Sequence, residues 1–310
     1  MRLLFRTIIV LTAAIQVVVA QQEAQYTQYM YNMSIVNPGY TLNGAGDMSF
    51  GALHRNQWVG IEGNPTTTMA FGQVMLKNNL QVGVSFLNDN IGGIISENNM
   101  YADIAYKLSF SNNSFLSFGT KLGGRFFNAN TSGLRLQSGG SATDVAFQEN
   151  INRGFLNIGI GFYFNTEKLY VGISAPNLLE ADYLENSTAA VKGGLQRHGF
   201  LTGGYIFDMS LRYRLKPSFM LKAVRGSIVS LDLNANLLVD NKFEAGLSYR
   251  IQEALAVLVG FNINRNFKVG YSYDFNISQL RSFNSGSHEI VLIYKINSLA
   301  SGIYKSPRFF

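Results

Sequence analysis

The chain has 310 residues, a formal net charge of +6 and no cysteine. Without Cys there are no disulfides and no thiolate metal centres, and so small a cationic excess, not gathered on one outer face, argues against nucleic-acid binding. Only 14% of residues are charged, 13% are aromatic, and 31 Gly stand against 5 Pro; this balance suits lipid-facing strands with aromatic girdles better than two soluble domains.

Residues 1–20 read as a secretory signal peptide. Arg2 and Arg6 give a basic start, Ile8 to Ala20 is mostly apolar, and cleavage is expected before Gln21. No other stretch approaches the roughly 18 uncharged apolar residues of a membrane helix. Segment 21–47 shows no clean alternation and carries Tyr26, Tyr29, Tyr31 and Asn37-Pro38-Gly39-Tyr40. It either plugs or lines a barrel, or lies at its periplasmic mouth.

From residue 48 the pattern becomes strand-like. Fourteen strands are predicted, at 48–58, 66–76, 80–88, 99–110, 114–127, 155–165, 168–174, 198–207, 211–223, 228–239, 243–251, 255–263, 266–275 and 288–296. In the fourth, Met100, Ala102, Ile104, Tyr106, Leu108 and Phe110 alternate with Tyr101, Asp103, Ala105, Lys107 and Ser109. Between Val229 and Phe275 four successive runs repeat the alternation, as in Leu231, Leu233, Ala235 and Leu237 against Asp232, Asn234 and Asn236. A period of two gives each strand two unlike faces. Runs of about 9–11 residues with one apolar face mark a membrane β-barrel. The expected fold is therefore all-β, a transmembrane antiparallel barrel of about fourteen strands over 48–296, with a C-terminal tail at 297–310.

The connections alternate in length. Short turns such as Asn165-Thr166-Glu167 and Asp240-Asn241-Lys242 follow even-numbered strands, whereas long connections at 59–65, 89–98, 128–154, 175–197 and 276–287 follow odd-numbered ones. Outer-membrane barrels keep short turns periplasmic and long loops external, so both termini are expected in the periplasm. The stretch Ser138 to Asp144 predicts a flexible loop, and 175–197 a short helix or lid. Arg212, Arg214, Lys216 and Lys222 share one face of the ninth strand and predict a basic stripe on the lumen wall.

Signals for chemistry are sparse. His54, His198 and His288 are far apart in sequence with no metal-ligand spacing, and there is no nucleophile elbow or phosphate-binding Gly loop. No cofactor is expected. Gly159-Ile160-Gly161 lies inside a strand, where glycine more often permits close packing or curvature. Inward charges such as Asp103, Lys107, Lys121, Arg125, Asp232, Glu244, Arg250, Lys268 and Asp274 either pair with one another to fill the barrel or line a solute path. Arg55-Asn56-Gln57-Trp58, leading to Pro65, reads as an interfacial anchor or as a rim that holds a partner. His288 and Glu289 open the last strand and either cap it or contribute to that rim.

Taken together, the mature chain resembles the PorP/SprF family of outer-membrane proteins of the Bacteroidetes type IX secretion system. The resemblance rests on Gln28-Tyr29-Met30 with Asn37-Pro38-Gly39-Tyr40, and on Arg55-Asn56-Gln57-Trp58-Val59-Gly60 through Pro65-Thr66. It continues in Val82 to Asp89, in Tyr170-Val171-Gly172-Ile173-Ser174-Ala175-Pro176-Asn177-Leu178-Leu179, in Leu215 to Phe219, in Leu231 to Asn236, in Gly270 to Asp274, in Gly286 to Ile290 and in Ser306-Pro307-Arg308. One departure is Gly39, where the family usually has Ala. The resemblance implies a non-enzymatic role in displaying proteins that carry a C-terminal sorting domain. SprF-like members pair with large surface adhesins used in gliding, and PorP-like members associate with the periplasmic secretion ring. No catalytic residues carry over. Expected partner contacts are Arg55, Asn56, Gln57, Trp58, Pro65, Pro176, Asn177, Leu178, Leu179, Asn37, Pro38, Tyr40, His288 and Glu289, with 21–47 and 297–310 toward the secretion machinery. Expected partners are the cargo, ring subunits and outer-membrane lipid. The alternative is a channel for small solutes or lipids.

Overall fold

The structure is a computed structural model that describes residues 25–76, 79–111, 113–130, 150–182, 194–225, 227 and 229–296. The expected signal peptide and C-terminal tail lie outside the described residues, as do the Ser138–Asp144 stretch and 183–193 of the 175–197 loop. Fourteen strands form the wall: β1 (Met48–Asn56), β2 (Thr66–Met75), β3 (Leu80–Ile91), β4 (Ile95–Ser111), β5 (Ser114–Ala129), β6 (Ile151–Asn165), β7 (Leu169–Asn177), β8 (His198–Tyr205), β9 (Tyr213–Val224), β10 (Ser230–Val239), β11 (Phe243–Arg250), β12 (Ala254–Asn262), β13 (Phe267–Asn276) and β14 (Ser287–Ile296). Each pairs antiparallel with its neighbour in sequence. β14 returns to β1, from Met48↔Ile296 to Asn56↔His288, so the sheet closes on itself. Closure gives every wall strand two partners, which lipid demands of any spanning sheet.

The predicted faces are the observed ones. Leu233, Leu247, Val257 and Ile290 point outward, while Asp232, Asn234, Asn236, Ser248, Lys268, Ser272 and Asp274 are buried inside. Two expectations are corrected. The connection 89–98 is not a long loop: β3 and β4 continue as a ladder to Ile91↔Ile95 and turn tightly through Gly92 and Gly93, at φ +70° and +66°. In this extension polar residues such as Asn88, Asp89, Asn90, Ser96, Glu97 and Asn98 occupy both faces, so no apolar alternation marks it. Arg212 does not join a lumen stripe. It precedes β9 in an exposed turn, bidentate to Asp240 at 2.7 Å, and these hydrogen bonds hold the Asp240 carboxyl below its ordinary pKa. Lys216 and Lys222 are buried, as predicted for the lumen wall.

The wall is lopsided. β4, β5 and β6 have 17, 16 and 15 residues against 9 in β1 and 8 in β11, and the surplus projects at the end that carries the long connections, the loop end. Loop 175–197 contributes a two-residue ladder, Ala181–Asp182 with Gly194–Leu195, instead of a helix among its described residues. Leu195 packs on Phe127 and Ala129, which folds the loop against the projecting strands.

Residues 25–47 run inside the barrel. Gln25 lies in the loop half, beside Arg250, and Asp47 joins β1 at the turn end. The segment holds one 3-10 turn, Tyr29–Tyr31, and one helical turn, Met33–Val36. Its bend at Asn37-Pro38-Gly39 presses on wall glycines. A Cβ at Gly119 would lie 2.1 Å from the Pro38 carbonyl oxygen, and one at Gly161 would lie 2.1 Å from Asn37 Oδ1. Filling such a contact overpacks it, at a cost of about 1–3 kcal/mol. Gly119→Val is expected to lower the temperature at which the folded band is lost in heat-modifiable electrophoresis. Gly199→Ala, whose Cβ meets only the Ala223 carbonyl at 3.9 Å, is expected to leave it unchanged.

Candidate functional site

The internal segment is fastened at three heights. Near the loop end, Glu289 accepts the backbone N–H of Thr27 at 3.0 Å and of Gln28 at 2.8 Å. Arg55 bridges Glu289 at 3.0 Å and Asp274 at 2.7 Å, and Asp274 also accepts the Thr27 hydroxyl at 2.7 Å. The three charged side chains are nearly inaccessible. β13, β14 and β1 are neighbours, and their register sets these groups at one level: Glu289 lies opposite both Arg55 and Ser272. Beside them Arg250 pairs with Asp232 at 2.9 Å and donates to Gln25 Oε1 at 2.8 Å.

At mid-height Asn37 uses both ends of its amide. Its Nδ2 donates to the Phe162 carbonyl at 2.9 Å, and its Oδ1 accepts the Gly39 N–H at 2.8 Å. Ser174 donates to the Val36 carbonyl at 2.8 Å. Tyr40 meets Tyr163 edge-on, with ring centroids 5.4 Å apart, and Tyr163 stacks on Tyr170. Toward the turn end Gln81 accepts the Leu42 N–H at 2.6 Å and donates to the Tyr40 carbonyl at 2.9 Å. Lys107 donates to the carbonyls of Leu42 and Asn43. The lumen charges also pair with one another: Asp103 with Lys121 at 2.8 Å and Glu97 with Arg125 across the neighbouring strands β4 and β5, and Glu244 of β11 with Lys268 of β13 over the intervening β12. They fill the barrel as one of the two sequence readings has it.

Above this packing lies a vestibule of about 390 Å³. Gln25, Tyr26, Tyr29 and Val36 form its floor, paired charges such as Glu97 with Arg125 stand in its wall, and Leu195 borders it from the loop. Its polar groups are mutually engaged rather than arrayed as nucleophile, base and oxyanion donors. Among the described residues no group of three His, Asp or Glu side chains is placed to hold a metal ion.

The sequence-selected residues divide into two sets. Arg55, Glu289, Asn37, Pro38, Tyr40, Pro176 and Asn177 are buried. The first five fasten the segment, and the Pro176 carbonyl accepts Asn157 Nδ2 at 2.9 Å. Glu289 is therefore neither a solvated cap nor a rim group. Asn56, Gln57, Trp58 and Pro65 form the loop-end rim. Gln57 N–H donates to the Pro65 carbonyl at 2.9 Å, Asn64 ties to Asn56, and Trp58, at φ +55°, donates its N–H to Ser287 Oγ at 3.1 Å. Reciprocal bonds between Val59 and Ser285–Gly286 lace this loop to the last one. His288 faces outward beside Tyr271 and Tyr273, 2.6 Å from the Tyr271 hydroxyl. Leu178 and Leu179 lead into loop 175–197, with Leu179 exposed. Thr27 and Gln81 were not singled out from sequence, and Ser174 appeared there only within the family-like run Tyr170 to Leu179. Gln81 and Ser174 are single polar residues at inward wall positions, which are common in any barrel, and Thr27 lies in a segment without alternation, so nothing in the sequence marked their contacts.

A closed sheet with an apolar outer wall and a polar, occupied interior defines an outer-membrane β-barrel. The chain belongs to the family of type IX secretion system membrane proteins PorP/SprF, whose match spans residues 18–294, and this places it in the bacterial outer membrane. No curated protein matches it. Among solved structures it is similar in fold to the toluene transporter TbuX of Ralstonia pickettii, with TM-score 0.51 and 9% identity over 84% of this chain and 92% of that one. It also matches the KdgM porin, with TM-score 0.41 and 9% identity over 80% and 99%. The outer-membrane protein Omp33 of Acinetobacter baumannii matches with TM-score 0.44 and 10% identity over 82% and 98%.

Removing Arg55 would leave Asp274 and Glu289 buried without their cation, and breaking such a pair costs about 3–5 kcal/mol. Arg55→Leu is expected to abolish hydrogen-exchange protection of Gln28 to Tyr31 while the β5–β6 ladder stays protected. Unchanged protection would show that the segment holds without this latch.

Proposed function

We propose that this protein is a non-enzymatic holding component of type IX secretion. Its loop end receives or anchors the C-terminal sorting domain of a secreted surface protein, and its turn end meets the periplasmic secretion ring. The observation that carries this reading, beside the family, is that residues 25–42 fill the lumen while a recess stays open above them. A filled barrel with a structured rim suits holding a protein segment better than passing solutes.

The accessible rim residues Gln57, Trp58, Pro65 and Leu179 are the proposed cargo contacts, and Arg55 supports them from beneath. The external side is the loop end, by the usual asymmetry of these barrels. Residues 27–42 lie within the lumen, all buried except the half-buried Tyr31 and Ile35, which disfavours them as ring contacts. Asn43 to Gly46 lie at the turn end, where Ala45 and Gly46 are exposed, and they are the part of this segment proposed to meet the ring.

The test is a mild-detergent pull-down of the tagged protein from its own outer membrane, with mass spectrometry of what accompanies it. A surface protein with a C-terminal sorting domain, or ring subunits, is the expected result. Trp58→Ala is expected to reduce cargo display several-fold while leaving barrel assembly intact, and equal loss of both would make Trp58 only structural. The rival reading, a solute channel, predicts steady conductance of the wild-type protein in planar bilayers, whereas a filled lumen predicts none.

A further inference from the structure

The wall is irregular between β6 and β9. β6 pairs with β7 only from Asn165↔Tyr170 to Ile160↔Ala175, although β6 continues to Ile151. On the other side of β7 the register slips: His198 pairs with Asn177, but Phe200 pairs with Ser174. Ala175 and Pro176 thus stand opposite the single residue Gly199. Pro176 has no N–H to give to a ladder, and Gly199 has no side chain to fill the gap. Isolated bonds bridge β6 to β7 above this point, from Asn157 Nδ2 to the Pro176 carbonyl and from Leu178 N–H to the Ile158 carbonyl, both at 2.9 Å.

On the outer face this patch forms a hollow of about 440 Å³, walled by Ile160, Phe162, Ile173, Leu201 and Leu221. These side chains belong to the lipid-facing set, and Ile173 is 58% exposed. A Cβ on Gly199 would find only the Ala223 carbonyl within 4 Å, so space remains there. The inner side of the same patch is the vestibule. Phe200 borders both spaces and packs against the buried cluster of Tyr29, Met30 and Val36, with its ring stacked on His198.

We infer that this patch is a lateral acyl-chain site: an alkyl chain of a membrane lipid lies in the outer hollow, and Phe200 closes the hollow against the vestibule. The occupant follows from position. The hollow opens among side chains that already face lipid, its walls are apolar, and a flexible hydrocarbon chain is what the surrounding solvent supplies. This site is independent of the secretion role.

The full-length protein, reconstituted in phosphatidylcholine vesicles doped with a lipid carrying a diazirine in its acyl chain, tests it by photocrosslinking and peptide mapping. Adducts at Ile173, Ala175, Gly199 and Leu201 are expected several-fold above those at Ile290 and Leu292 on β14, which lies seven strands round the barrel from β7. Gly199→Leu fills the hollow and is expected to reduce the excess to the β14 level. Phe200→Ala, with Phe200→Leu as the milder variant, is expected to bring adducts onto Val36 or Met220 in the vestibule. Uniform adducts around the barrel, or an excess that Gly199→Leu leaves intact, would overturn the site. A folded Phe200 variant with an unlabelled vestibule would overturn the closing role.

Discussion

A chain segment enclosed in a lumen, inside lipid, meets little water to satisfy its backbone. Residues 25–47 make few hydrogen bonds among themselves, because they hold only one 3-10 turn and one helical turn. The wall makes up the difference with side chains of definite length at definite heights. Glu289 takes the N–H groups of Thr27 and Gln28, Ser174 serves the Val36 carbonyl, and Gln81 serves both Leu42 and Tyr40. Where wall and segment meet backbone to backbone, the wall has glycine, at Gly119 and Gly161. The inner surface of the barrel is thus a mould of one particular segment. A solute path would call for a continuous aqueous lining instead, and here that lining is spent on the chain itself.

Much of the wall was legible because lipid imposes a single rule. β10 to β13 have apolar residues at every outward position, and a period of two suffices to place them. The same rule explains the misses. Toward the loop end polar residues fall on both faces, so Glu97, Asn98 and Arg153 give no alternation, and the true length of β3 to β6 was hidden. Arg212 shares parity with Lys216 and Lys222, but parity says nothing about where a strand ends. The site was only half legible. Arg55, Asn37 and Glu289 stood out, yet their work is internal: each meets a residue far away in sequence, and register had to be known before the meeting could be seen.

The rim and the interior play different physical parts. The interior is dense with charge-assisted hydrogen bonds, which specify one arrangement strongly because an unsatisfied member is costly. The rim is held by backbone bonds between two loops, Val59 with Ser285 and Gly286, and by the left-handed Trp58. A stiff interior beneath a laced rim presents side chains such as Trp58 and Pro65 at fixed positions, which would lower the ordering cost of the protein-segment binding proposed above.

The segment also constrains the order in which the molecule is built. It joins β1 directly at Asp47, and β1 closes on β14, the last strand described. The final ladder therefore seals a space already allotted to the chain's own beginning. Threading that segment through a finished ring would strip its polar groups of water before any partner replaced it, whereas a sheet that curls round it exchanges water for side chains one strand at a time. Assembly round the segment would avoid that cost, and the completed barrel bears the segment's imprint in wall glycines such as Gly119 and Gly161.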